Sequence, residues 1–125
     1  MPINLSSTPP SPELFNKEAE EFAKSFINRE QRGEMNKATQ IRRFYDEPVS
    51  WQERVNGNDA EFKKYEAFIK MLNAKVAYAK GRRLVDDTFE KWFRDCIAAT
   101  TNAHALNNFR LHFEAVLGFL KALRP

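Results

Sequence analysis

Residues 63–83 read KKYEAFIKMLNAKVAYAKGRR, and the fold class turns on this stretch. Phe62, Tyr65, Phe68, Ile69, Leu72, Val76 and Ala79 recur at three- and four-residue steps, which predicts a helix over 59–80 with one apolar face. On a helical wheel that face spans roughly 120°. Lys63 and Lys70 flank it on one side, Lys64 and Lys75 on the other. Gly81 stands where a helix commonly ends in glycine, and the cations around it suit the negative end of the helix dipole. Lys63, Lys64, Lys70, Lys75, Lys80, Arg82 and Arg83 face a single acid, Glu66, within the stretch. One element therefore offers grease to a core and positive charge to its surroundings. That charge is either a solvated surface, the ordinary case, or a seat for a polyanion.

The sequence to either side repeats the helical period. Ser11, Pro12 and Glu13 form a helix start with a serine cap and an early proline. The first helix runs from there to about Glu30, with Phe15, Ala19, Phe22, Ala23, Phe26 and Ile27 inward, and Gly33 closes it. A second begins near Asn36 or Thr39 and keeps phase through Ile41, Phe44, Tyr45, Trp51 and Val55. Pro48 removes a backbone donor within it, so this helix must kink or break near that residue. Asn56-Gly57-Asn58 is a turn. Asp86 or Asp87 caps a fourth helix over 87–100 that carries Phe89, Trp92, Phe93, Cys96 and Ile97. A fifth, about 104–123, carries Leu106, Phe109, Phe113, Val116, Leu117, Leu120 and Leu123. No segment alternates with period two, so the expected fold is an all-α bundle of about five helices. Residues 1–12, rich in Pro and Ser, read as a flexible N-terminal tail, and 13–125 as a single helical domain.

Composition narrows the function. With 42% hydrophobic and 30% charged residues over 125 positions, the chain is globular and long enough to bury a core. Its charge is uneven. Residues 1–35 hold 4 basic and 6 acidic groups, 36–84 hold 11 and 6, and 85–125 hold 5 and 5. The excess of positive charge lies in the middle third. A lone cysteine fits a reducing compartment, and no apolar run approaches the roughly 18 residues of a membrane span. A cytoplasmic protein without membrane contact is expected.

Little points to catalysis. His104 and His112 are too far apart to chelate one ion from neighbouring turns, and no Cys or carboxylate pattern joins them. Cys96 lies on an apolar stripe and reads as a small hydrophobe. Asp86 and Asp87 point apart, and capping explains them. No metal, cofactor or catalytic residue is expected. The basic groups remain. Arg42 and Arg43 leave the second helix away from Ile41 and Phe44. If the second and third helices pack antiparallel, they extend the seven cations of 63–83 into a strip that could neutralise phosphates without reading sequence. Tyr78 and Met71 lie opposite the main stripe, between the lysine rows. Tyr78 either stacks on an unpaired base or belongs to a second packing surface. Arg82 and Arg83 either join the strip or satisfy carbonyls at the helix end.

Two segments go beyond composition. Thr39-Gln40-Ile41-Arg42-Arg43-Phe44-Tyr45 and Val76-Ala77-Tyr78-Ala79-Lys80-Gly81-Arg82 together resemble paired signatures of the small subunit of the type III-A CRISPR interference complex, the Csm complex. The resemblance implies a non-catalytic subunit in antiviral defense. It would pack beside further copies of itself and other Csm subunits, lining a groove that holds guide RNA and target RNA by their backbones. Arg42 and Arg43 match basic positions of the first segment; Tyr78, Lys80 and Arg82 match the second. Lys63, Lys64, Lys70 and Lys75 join the candidate RNA-binding set from the wheel alone, and Arg83 as one of the seven cations of 63–83. A scaffold that touches no nucleic acid is the alternative, as is the small subunit of the type III-B complex.

Overall fold

The computed structural model describes residues 3–27 and 35–123. A 3-10 turn over Pro12–Phe15 leads into α1 (Lys17–Ser25). There follow α2 (Ala38–Val55), α3 (Asp59–Lys70), α4 (Leu72–Gly81), α5 (Asp87–Ala99) and α6 (Ala103–Leu123), with no strand among the described residues. The all-α bundle expected from the periodicity forms. Among the described residues no helix is long and apolar enough to cross a membrane.

α6 is the spine, packed along both α1 and α2, while α5 lies on α4 and α2 turns back onto α3. Phe26, Phe89, Trp92, Phe93, Phe109 and Phe113 are buried where α1, α5 and α6 meet. Trp92 and Phe113 meet edge to face, their centroids 4.9 Å apart at 90°, the geometry aromatic quadrupoles favour. One polar chain threads this core. The Trp92 indole donates to His112 Nε2 at 3.2 Å, and His112 Nδ1 lies 2.6 Å from the Leu14 carbonyl oxygen. An indole only donates and a carbonyl only accepts, so the proton sits on Nδ1 and the ring is neutral. Burial pulls the His112 pKa down, against a smaller upward pull from the Leu14 bond.

Several boundaries differ from those expected. The first helix is divided: Ser11 accepts from the Glu13 amide as a cap should, but Asn16 separates the 3-10 turn from α1. α1 ends at Ser25, short of the expected Glu30, with Phe26 as its C-cap and Ile27 already outside the helix; Gly33, expected to close it, lies outside the described residues. α2 is unbroken through buried Pro48, so of the two outcomes, kink or break, the helix does not split. Asn36 does not cap α2; Lys37 occupies that position, and Asn36 is used elsewhere. The helix expected over 59–80 is continuous through Met71 but bends there, dividing α3 from α4. Phe68, placed on the core stripe, is 50% exposed, lying parallel to Trp51 at 5.9 Å.

Residues 3–12 are not a detached tail. Leu5 is buried, its carbonyl accepts from Asn108 Nδ2 at 2.9 Å, and the Ser7 carbonyl lies 3.0 Å from His104 Nε2. A single leucine in a polar segment has no period to betray it. Gly81 is not the left-handed terminal residue. It is the last residue of α4, and Arg83 takes the positive φ of 61° while the Leu84 amide reaches back to the Ala79 carbonyl at 3.0 Å.

Candidate nucleic-acid interface

The start of α2 and the end of α4 are fastened together by one residue. Asn36 is buried with a φ of 60°, tolerable for asparagine. Its amide donates to the Leu84 carbonyl at 3.0 Å, Nδ2 donates to the Phe26 carbonyl at 2.9 Å, and Oδ1 accepts from the Asp86 amide at 3.0 Å. Further along, Lys75 Nζ meets Glu47 across the two helices at 2.6 Å. These two ties fix an antiparallel register. One turn back from Glu47 is Arg43, and one turn forward from Lys75 is Ala79, so Arg43 comes level with the last turn of α4.

The register sorts the candidates. Arg43, Arg82 and Arg83 are exposed at the joined ends and have no acidic partner among the described residues. Arg82 Nη1 donates to the Tyr78 hydroxyl at 3.2 Å and its guanidinium lies 5.8 Å from the Tyr78 ring centre. Arg83 holds a left-handed backbone that costs a non-glycine residue roughly 1–2 kcal/mol. Asp86 and Asp87 line a shallow depression beside it, so this edge is not purely cationic.

Other candidates are engaged elsewhere. Lys80 turns toward α5, where it holds Asp87 at 2.5 Å and Glu90 at 3.3 Å. The Asp87 bond, with Glu90 second, raises its pKa above the ordinary lysine value. Arg42 pairs with Asp46 at 3.6 Å and lies over the Tyr45 ring at 5.5 Å. It faces a groove of about 640 Å³ between α2 and α6, shared with Thr39, Glu114, Gly118 and Lys121. Adjacent on a helix, Arg42 and Arg43 point about 100° apart and cannot serve one surface equally. On α3, Lys63 reaches Glu66 at 3.6 Å and Lys64 covers the Tyr65 ring at 5.4 Å. Lys70 is exposed without an acidic partner among the described residues. The ten candidates are therefore not one rail. Arg43, Arg82 and Arg83 are exposed toward the ends of α2 and α4 that Asn36 ties, Lys63, Lys64, Lys70, Lys75 and Tyr78 lie on the outward part of α3 and α4, and Lys80 and Arg42 are turned aside.

Sequence reading missed Asn36 as the fastener, Glu47 as the partner of Lys75, and Arg54. The Arg54 guanidinium lies 5.5 Å from Trp51 and 5.6 Å from Tyr65, beside the stacked Trp51 and Phe68. Arg54 follows Trp51 by one helical turn, a local signal that was available. The ties of Asn36 and Glu47 are long-range, with no signal in their own helix.

Among the described residues no group of His, Cys, Asp and Glu could hold a metal ion. Cys96 is wholly buried, and that burial pushes its thiol pKa well up, away from the reactive thiolate.

Residues 10–125 match the model of the Csm2 type III-A family. The chain belongs to that family. It is thus a small subunit of a type III-A CRISPR complex, with other Csm subunits as its partners. No curated protein and no solved structure matches it. Both signature segments noted in the sequence fall within the matched region, on α2 and on α4 and its C-cap Arg82.

Proposed function

We propose that this Csm2-family chain holds RNA inside its complex without catalysing a reaction, gripping the backbone at the joined ends of α2 and α4. Guide RNA and target RNA are the ligands. Further copies of the chain would repeat the grip along the assembly. The observation that carries the reading is that Arg43, level with the last turn of α4 in the register set by Asn36 and Glu47, is exposed and free of acidic partners among the described residues, as are Arg82 and Arg83 at the end of that helix. Guanidinium groups suit phosphate because their forked donors match its oxygens. Arg83 supports it independently: a strained backbone that glycine would relieve instead carries a cation. Lys70 and Lys64 could lengthen the contact. Lys80 contributes less, because binding phosphate would mean giving up Asp87 and Glu90. Arg42 would meet only RNA that also enters the α2–α6 groove.

Fluorescence anisotropy of a labelled single-stranded RNA at about 50 mM and about 200 mM salt tests the reading. Three phosphate contacts predict an affinity loss of roughly twentyfold between those conditions, with little dependence on base sequence. Binding that ignores salt, or none at the lower salt, would count against it.

A further inference from the structure

The α3–α4 helix has a second apolar line that stays exposed among the described residues. Ala67, Met71, Ala74, Tyr78 and Gly81 are all exposed and follow steps of four, three, four and three residues. That step pattern places them on one seam about 21 Å long. Met71 is 56% exposed and Tyr78 66%, while Leu72, Val76 and Ala79 fill the core from the opposite side of the same helix. A helix apolar on both sides belongs between two packing partners, and the described residues supply one. Leu84 and Leu123, also exposed, stand apart from it at a loop and at a helix end.

The borders of the seam are cationic. Lys64, Lys75 and Arg82 lie along one side, Lys63 and Lys70 along the other. The acids that reach this region, Glu47 and Glu66, are each already held by a rim lysine. Small side chains at Ala67, Ala74 and Gly81 leave room for a close backbone approach, and a Cβ placed on Gly81 would meet nothing within 4 Å. Flat aromatic platforms are what stacked bases need; this line instead alternates small and large groups, as interlocking helices do.

We infer that this seam receives an amphipathic helix of another subunit, apolar along its centre and bordered by Asp and Glu. A second copy of this chain does not offer such a helix among the described residues. The apolar positions Ala19, Ala23 and Phe26 of the acidic N-terminal region are buried. α6 carries one acid, Glu114, which Tyr45 and Arg110 already engage. The partner is therefore a different polypeptide of the complex, and the seam is separate from the phosphate grip at Arg43, Arg82 and Arg83 except that Arg82, and the Lys64 and Lys70 that could lengthen that grip, border both.

The test uses the full chain and two synthetic 21-residue helical peptides with leucine at the seam positions. One has glutamate at the flanking positions, the other lysine. The acidic peptide should bind about tenfold or more tightly than the basic one by anisotropy. The Ala67→Gln/Ala74→Gln variant, neutral and at exposed positions, should weaken that binding by about tenfold. It should leave single-stranded RNA affinity unchanged and lower retention of the chain in the assembled complex. Equal binding of the two peptides, or no binding of either, overturns the inference. So does a variant that assembles like the wild type. If the variant loses RNA affinity yet assembles normally, the face belongs to RNA and the inference again fails. Loss of RNA binding in Arg43 and Arg83 variants would not bear on it, which keeps the two readings apart.

Discussion

The two halves of this molecule are built differently. Where α1, α5 and α6 meet, aromatic rings close on one another and the polar atoms of Trp92, His112 and Leu14 satisfy each other. Along α2, α3 and α4 the inner stripes (Ile41, Val55, Phe62, Ile69, Leu72 and Val76) join the same core, but the outer faces present apolar side chains and cations, and polar ties such as Asn36 and the Lys75–Glu47 pair link α2 to α4. A surface left greasy, charged and strained within a stable frame is one whose partners are elsewhere. The contrast explains why stability and function should separate cleanly between the halves.

The largest effect should come from the closed half. Phe113→Ala removes a fully buried ring that touches Trp92, Phe93, Phe109 and Tyr45. It should cost about 3–5 kcal/mol in urea unfolding. Asn36→Ala breaks the fastening of the open half. It orphans the Asp86 amide and the Phe26 carbonyl and puts alanine at a left-handed φ. The expected cost is about 2–4 kcal/mol, with hydrogen exchange rising first around 82–88. A loss below about 1 kcal/mol would mean that α2 and α4 are joined by packing alone.

A smaller, graded effect follows from His112. Its pKa is lowered in the fold, so the unfolded chain takes up protons first as pH falls. The stabilisation is complete above the ordinary histidine value, about 6.5, and is lost progressively below it. The urea midpoint should therefore drop between pH 7.5 and pH 5, and His112→Gln should flatten that slope. The smallest effect has the opposite sign. Arg83→Gly relieves a left-handed φ and should stabilise the fold by about 0.5–1 kcal/mol, while RNA affinity falls. Stabilisation with unchanged RNA affinity would remove Arg83 from the site.

How much the sequence disclosed also divides along this line. Phe89, Trp92, Phe93, Cys96 and Ile97 lie where the period of three and four puts them, all buried, because a stripe repeated over several turns leaves few ways to pack. Leu106, Phe109, Phe113, Val116 and Leu120 do likewise on α6. The open half was legible as helices with excess positive charge, but not as a surface. Which lysine meets an acid depends on what another helix brings alongside, and neither Lys80 with Asp87 nor Lys75 with Glu47 is visible within its own helix. Leu5 was invisible for a simpler reason: one buried residue makes no pattern.

The central claim is that RNA is held at the joined ends of α2 and α4 and not by positive charge in general. It is tested by two variants that each remove three cations: Arg43→Gln/Arg82→Gln/Arg83→Gln, and Lys17→Gln/Lys24→Gln/Lys91→Gln on α1 and α5. For each, the logarithm of the affinity for single-stranded RNA is measured against the logarithm of salt concentration. The arginine variant should lose about 2 units of slope while the lysine variant keeps the wild-type slope. Equal losses in the two would contradict the account.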